Sequence, residues 1–288
     1  MSGNCYTIGI TDASKIINDR LRANNFTPFV SDDFAKRVDP KKVFPDARSL
    51  VVVCVPYGVD MFCSNLSSLG VCEDYHVRVK DVLRTEASKL HQLHGSFKNK
   101  ILVDSPALCE RSLAVRAGLG FFGRHGLVIS PEFGSRVNIG VMLTDIPLYE
   151  LNLSFRGLQR RHIPFYDSCP DDCKLCIKAC PNGAINEGRS LAANLCISYL
   201  TQKEKLTAEE EKLFHGQLYG CDICQNVCPK NVKHMTSYVD PKKILMLSDS
   251  EVTEQFGHTA MNWRLRLLKR NALIVKGRRE KQEDTCVY

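Results

Sequence analysis

The chain has 288 residues, room for one or two domains, and its 44% hydrophobic and 25% charged content is ordinary for a soluble globular protein. Its longest purely apolar run, Leu50–Val55, falls far short of the ~20 residues that cross a bilayer, which argues against a membrane protein. The formal charge of +7 is concentrated in residues 264–281, where eight Lys or Arg face one Glu and the rest of the chain is left near neutral.

In chain order, the start MSGNCYTIGITDASK has neither a basic n-region nor an apolar h-region, so no signal peptide is predicted and a cytoplasmic chain is expected. Asp12–Asn24 reads as a helix with Thr11 or Asp12 as its N-cap. SLVVVCVP (Ser49–Pro56) is an apolar, β-branched run stopped by proline, and predicts a buried strand. Asp74–His94 carries apolar residues at helical spacing and ends before Gly95. Lys100–Asp104 (KILVD) predicts a short strand ending in an acid. Pro106–Ala117 follows as a helix with proline in its first turn and Gly118 as its stop. Gly126–Ser130 and Arg136–Thr144 read as strands joined by the turn PEFG, Arg156–Ser168 as a polar linker, and everything from 241 onward as helical.

Gly118-Leu-Gly120-Phe-Phe-Gly123 fits G-x-G-x-x-G, but a dinucleotide fingerprint needs a strand before it and a helix after it. The predicted order here is helix, glycines, strand. The glycines are expected to serve a sharp turn or the close approach of something bulky.

Fourteen cysteines without a signal peptide point to metal or cluster ligation rather than disulfides. Eight of them fall within 169–228. Cys169 precedes Cys173-x2-Cys176-x3-Cys180-Pro181, Cys196 stands alone, and Cys221-x2-Cys224-x3-Cys228-Pro229 repeats the pattern. Two 4Fe–4S clusters need eight thiolates. In two-cluster ferredoxin runs the cysteine before the proline ligates the other cluster. Cys169, Cys173, Cys176 and Cys228 are therefore expected at one cluster, and Cys180, Cys196, Cys221 and Cys224 at the other. Paired zinc sites are the alternative, although they do not ask for C-x3-C-P twice. Cys5, Cys54, Cys63, Cys72, Cys109 and Cys286 have no ligand spacing. Cys54, inside an apolar strand, reads as a small hydrophobe. The basic stretch 264–281 reads either as a polyanion-binding stripe or as a solvated tail. Two clusters behind some 155 residues of α/β domain suggest a wire feeding an active site.

LVDSPALCERSLAVRAGLGFFGRHGLVISPEFGS, CKLCIKACPNGAI, CISYLT and YGCDICQNVCPKN, in that order, resemble the epoxyqueuosine reductase family over roughly residues 5–275. The resemblance implies an α+β chain in three parts. Residues 1–155 would be a nitroreductase-like cobalamin and substrate domain, 156–240 a ferredoxin-like domain with two 4Fe–4S clusters, and 241–288 a short basic helical segment. It implies a base-off cobalamin as a further cofactor, and reduction of epoxyqueuosine to queuosine at the tRNA wobble position. It also implies a low-potential donor such as a ferredoxin or flavodoxin, and a monomer. By the same resemblance Asp104 is the acid that protonates the departing oxygen, whereas an aspartate there is ordinarily only an N-cap. Such a role calls for a raised pKa. Val128, Ile139, Ser198, Cys221 and Asp222, with Asp104, match positions near the corrin. Asp74-Tyr75-His76 matches the family's DYH. Val79 stands where D-x-H-x-x-G would have glycine, so His76 is not a lower cobalt ligand. The chain stops soon after KRNALIV, where the family continues as a tRNA-gripping helical domain, and the gap from Cys169 to Cys173 is one residue longer than the family's. Other readings are a corrinoid reductase of another small substrate and a two-cluster electron carrier without its own substrate.

Overall fold

The computed structural model describes residues 6–16, 27–30, 32–57, 62–155, 169–187, 191–232 and 236–285. The expected linker 156–168 and residues 17–24 of the first expected helix lie outside them. The chain forms two compact units, Met1–Pro56 with Tyr75–Cys173, and Tyr57–Asp74 with Lys174–Tyr288. Its first elements are β1 (Thr7–Asp12), α1 (Phe34–Val38), α2 (Pro40–Val43), β2 (Ser49–Pro56), β3 (Phe62–Cys63), α3 (Ser68–Val71), α4 (Tyr75–His94) and β4 (Asn99–Val103). Then come α5 (Glu110–Arg116), β5 (Phe121–Phe122), β6 (Val128–Ile129), β7 (Val137–Thr144), α6 (Leu148–Ser154) and α7 (Leu175–Ala179). The chain ends with α8 (Ile197–Leu200), α9 (Ala208–Glu211), α10 (Ile223–Asn226), β8 (Thr236–Ser237), α11 (Pro241–Met246), α12 (Asp249–Phe256) and α13 (Leu267–Thr285).

The first unit is built on an antiparallel sheet of order β1-β2-β7-β4. β2 is apolar from Leu50 onward because both its faces are covered. Leu50, Val52 and Cys54 pack with Leu113 and Ala114 of α5, while Val51, Val53 and Val55 pack with Val79, Leu83 and Leu90 of α4. Burial pushes the Cys54 thiol up to about 12, in keeping with its reading as a hydrophobe. Helix α4 lies close on the sheet at Gly140, where a Cβ would stand 2.4 Å from Val79 Cγ1.

Three expectations are corrected. Thr11 and Asp12 close a strand rather than cap a helix, since TIGITD pairs along β2 from Thr7–Cys54 to Asp12–Ser49. The helix expected from Pro106 begins at Glu110, because Asp104–Cys109 forms a turn in which Ser105 Oγ accepts the Ala107 N–H at 3.3 Å. Val128–Ile129 pairs with Phe121–Phe122, not with β7. Gly120 serves that ribbon, since a Cβ there would stand 2.4 Å from the Ile129 carbonyl oxygen. The close neighbour of the glycine loop is thus its own chain.

The second unit has its own core of Leu66, Leu200, Phe214, Leu218, Ile244, Phe256, Met261, Leu268 and Ala272. The excursion Tyr57–Asp74 is part of it: β3 pairs parallel with β8, and Asn65 Nδ2 donates to the Val239 carbonyl at 2.7 Å.

Candidate functional site

In the first unit, β4 stops at Val103, opposite Gly140. β7 runs on through Ile139, Asn138 and Val137 with β2 on one side, and among the described residues no strand covers the other. Asp104 is the next residue after β4. Its φ of 49° is left-handed, a conformation that costs a non-glycine residue about 1–2 kcal/mol. Its side chain is exposed, and Tyr75, at the start of α4, donates its phenol to Asp104 Oδ2 at 2.6 Å. Tyr75 is in turn stacked on His76, with ring centroids 4.3 Å apart.

Glu110, the first residue of α5, accepts the Ser105 N–H at 3.0 Å. Burial pushes its carboxyl up to about 8; the nearby Asp104 adds to this, while the Ser105 and Asp104 amides oppose it. Arg111 donates to the Gly126 carbonyl at 2.8 Å, and its charge faces both carboxylates. A strained, exposed carboxylate at the end of a strand can exchange a proton with a molecule docked beside it.

In the second unit, each C-x2-C step runs into the start of a short helix, Cys176 on α7 and Cys224 on α10, and these two helices pack together. Burial raises the Cys196 thiol, and Cys180 adds to the effect. Burial likewise pushes Cys221 up to about 12, with Cys196, Asp222 and Cys180 contributing. Cys224 is raised well above its ordinary value by burial, then by Cys221 and Cys196, with Asp222 and Cys176 behind them. Cys196, Cys221 and Cys224 therefore lie near one another, with Cys180 near Cys196 and Cys221, and Cys176 near Cys224. As thiolates they need a cationic centre among them, which is what an iron–sulfur cube provides. Among the described residues no three His, Cys, Asp or Glu side chains stand as they would around a single metal ion, and a four-iron cube spaces its thiolates more widely.

The remaining expected residues sit as follows. Val128 is buried in β6, where it pairs with Phe122, and Ile139 pairs with Cys54. Ser198 lies on α8, where its carbonyl accepts Gln202 Nε2 at 2.7 Å. Asp222 is buried with both oxygens in use: Oδ2 accepts the Ser68 amide at 2.7 Å and the Ser68 hydroxyl, and Oδ1 accepts Gln225 Nε2 at 3.1 Å. The basic stretch is largely occupied within its own unit. Arg264 and Arg266 pair with Glu204, Lys269 pairs with Asp249 at 2.6 Å, and Arg270 donates to the Lys203 and Glu204 carbonyls at 2.6 and 2.7 Å. Arg278 donates to the Lys212 carbonyl.

Sequence reasoning missed Glu110 altogether and gave Tyr75 no role. An acid in the first turn of a helix is too common to stand out. Tyr75 was visible only as part of the DYH match.

The family model described as a 4Fe-4S double cluster binding domain matches residues 169–231, so this segment is a two-cluster segment. The model described as "Epoxyqueuosine reductase QueG, DUF1730" matches residues 37–105. An epoxyqueuosine reductase of Bacillus subtilis is 32% identical over 301 aligned positions, which cover 93% of this chain and 74% of that one. An epoxyqueuosine reductase solved with an epoxyqueuosine-modified tyrosine tRNA stem loop is 28% identical with a TM-score of 0.76, covering 93% of this chain and 76% of that one. A Bacillus subtilis structure whose catalytic aspartate loop is swung out of the active site is 29% identical over the same shares, with a TM-score of 0.75. Among the described residues no helix is long and apolar enough to cross a membrane.

Proposed function

The chain belongs to the epoxyqueuosine reductase family, and on that premise we propose that it is an oxidoreductase converting epoxyqueuosine to queuosine at the wobble position of tRNA. The relative solved with a modified tRNA stem loop supports tRNA as the partner. The net change takes up two electrons and two protons and releases the epoxide oxygen as water.

Cys180, Cys196, Cys221 and Cys224 hold one cluster, a partition drawn from their spacing and in keeping with the influence of Cys180 on Cys196 and Cys221, and of Cys196 and Cys221 on Cys224. Cys169, Cys173, Cys176 and Cys228 hold the other. When bound, the clusters and a base-off cobalamin supply single electrons, delivered from a low-potential ferredoxin or flavodoxin. The edge of Val137–Ile139 that no strand covers among the described residues offers peptide N–H and C=O groups that suit the amide side chains of a corrin. Val128, Ser198 and Cys221 are further contacts. Asp222 serves by bracing Ser68 and Gln225, since both its oxygens are taken.

Asp104 supplies the proton to the departing oxygen, an alkoxide being a poor leaving group. Tyr75 donates to Oδ2, which leaves the acid proton on Oδ1 and fixes the direction in which it is offered. The observation that carries this reading is the exposed, left-handed Asp104, gripped by Tyr75 at the end of β4.

The test uses protein reconstituted with both clusters and cobalamin, epoxyqueuosine tRNA and a low-potential reductant, with nucleosides read by mass spectrometry. Queuosine is expected. Its absence from a sample shown to carry both cofactors overturns the reading.

A further inference from the structure

Hydrogen bonds to two neighbouring helices hold Asp104 and Ser105. Tyr75 of α4 holds the Asp104 side chain at 2.6 Å, and Glu110 of α5 holds the Ser105 amide at 3.0 Å. Two further bonds close the turn on itself, Ala107 N–H to Ser105 Oγ at 3.3 Å and Leu108 N–H to the Ser105 carbonyl at 3.4 Å, and at its far end the Cys109 N–H donates to the Arg37 carbonyl at 3.1 Å. Tyr75 can steer the carboxylate but cannot hold a peptide unit in place. The left-handed φ of Asp104 is the less favourable state for an L-residue, so something must over-determine it. Released, the residue falls back to the β or right-handed region, and its side chain turns with it.

We propose that Glu110 is the positioning residue for Asp104: by accepting the Ser105 amide it anchors the backbone that aims the acid. The proposal rests on the reading of Asp104 as the proton donor. It adds a residue that touches neither substrate nor cofactor and acts through the peptide unit after the acid. The anchor is an acceptor, not a charge, so a glutamine that keeps the oxygen in place keeps the function. Helix α5 gives the anchor a fixed base, because Leu113 and Ala114 are fully buried against the sheet. A carboxyl group on a packed helix is a firmer post than one on a loop.

The experiment compares E110A, E110D and E110Q with the wild type in two readouts. One is deuterium uptake of the 104–109 peptide in the substrate-free protein. The other is kcat and KM on epoxyqueuosine tRNA. E110A is expected to speed exchange in 104–109 and to lower kcat roughly 10- to 100-fold with little change in KM, the pattern of a misplaced catalytic group. E110Q is expected to restore slow exchange and most of kcat. E110D, which withdraws the acceptor by one methylene while keeping the carboxyl group, is expected to behave as E110A and serves if E110A does not fold. Wild-type exchange in E110A or E110D, or E110Q as impaired as E110A, overturns the anchor. Exchange is read without substrate. A wild-type protein inactive on this tRNA would therefore overturn the functional reading and leave the anchor to be judged by exchange alone.

Discussion

Asp104 pairs an unfavourable backbone with a side chain whose hydrogen-bond partner engages one oxygen. Replacing it with alanine should lower queuosine formation by about 10²–10⁴-fold, the usual range for a lost general acid, while iron content and cluster reduction stay at wild-type levels. If this chain were only an electron carrier, turnover of its partner would be unmoved by the same change. Glu110 makes a second prediction, for stability. Unfolded, it loses its proton near the ordinary 4.5; folded, it keeps it to about 8. Between those values the folded chain holds the extra proton, so this residue's contribution to stability falls as pH rises through the window, and E110Q should flatten that slope in melts taken from pH 5 to 8. Asp104 was legible as an acid ending a predicted strand. Glu110 was not, because what distinguishes it is the amide of Ser105, and hydrogen bonds made by a turn's backbone leave no mark in residue type.

At the scale of elements, the strongest signals came from residues buried on both faces. SLVVVCVP was readable as a strand because sheet and helices leave it no polar side, and α4 was readable from its spacing of Val79, Leu83 and Leu90. β1 was missed because TIGITD is short and draws its partner from residues 49–54, far along the chain. The pairing of β6 with β5 was missed because two-residue strands carry no periodicity. Gly140 fits both partners of a packed pair, β7 and α4. Gly140→Val should push Val79 and Leu83 off the sheet and cost about 1–3 kcal/mol, seen as a lowered Tm of the apoprotein. Because β7 continues from Gly140 to Val137–Ile139, the same variant should also weaken retention of the proposed cobalamin in equilibrium dialysis.

For the molecule as a whole, the basic stretch 264–281 first suggested a grip on polyanion. Much of it instead closes the second unit, where Arg270 and Arg278 sit on carbonyl oxygens of the 203–212 segment. Beside them Asn271 is fully buried and donates to the Thr201 and Leu218 carbonyls at 2.8 and 2.7 Å. Asn271→Ala removes the donor to both carbonyls, leaving Thr201 only the 3.5 Å bond from Arg270 Nη2, and should cost about 1–3 kcal/mol, measured by denaturant unfolding. A tRNA gel shift lost on neutralising this stretch would thus report unfolding unless a melt is run beside it. Charge counts are visible in sequence; whether a cation is already taken by a carbonyl is not.

The excursion Tyr57–Asp74 has a consequence for how the protein is made. Ser68 meets Asp222 across 154 positions of chain, and Asn65 meets Val239 across 174. During synthesis, residues 57–74 leave the ribosome long before the segments that will cover them, and Leu66 has no core to enter until Phe214 and Leu218 have followed. For that interval the nascent chain carries an unburied apolar segment, open to chaperones and proteases. A gene fragment starting at residue 169 would encode the whole two-cluster segment yet lack the piece that fills the second unit's core.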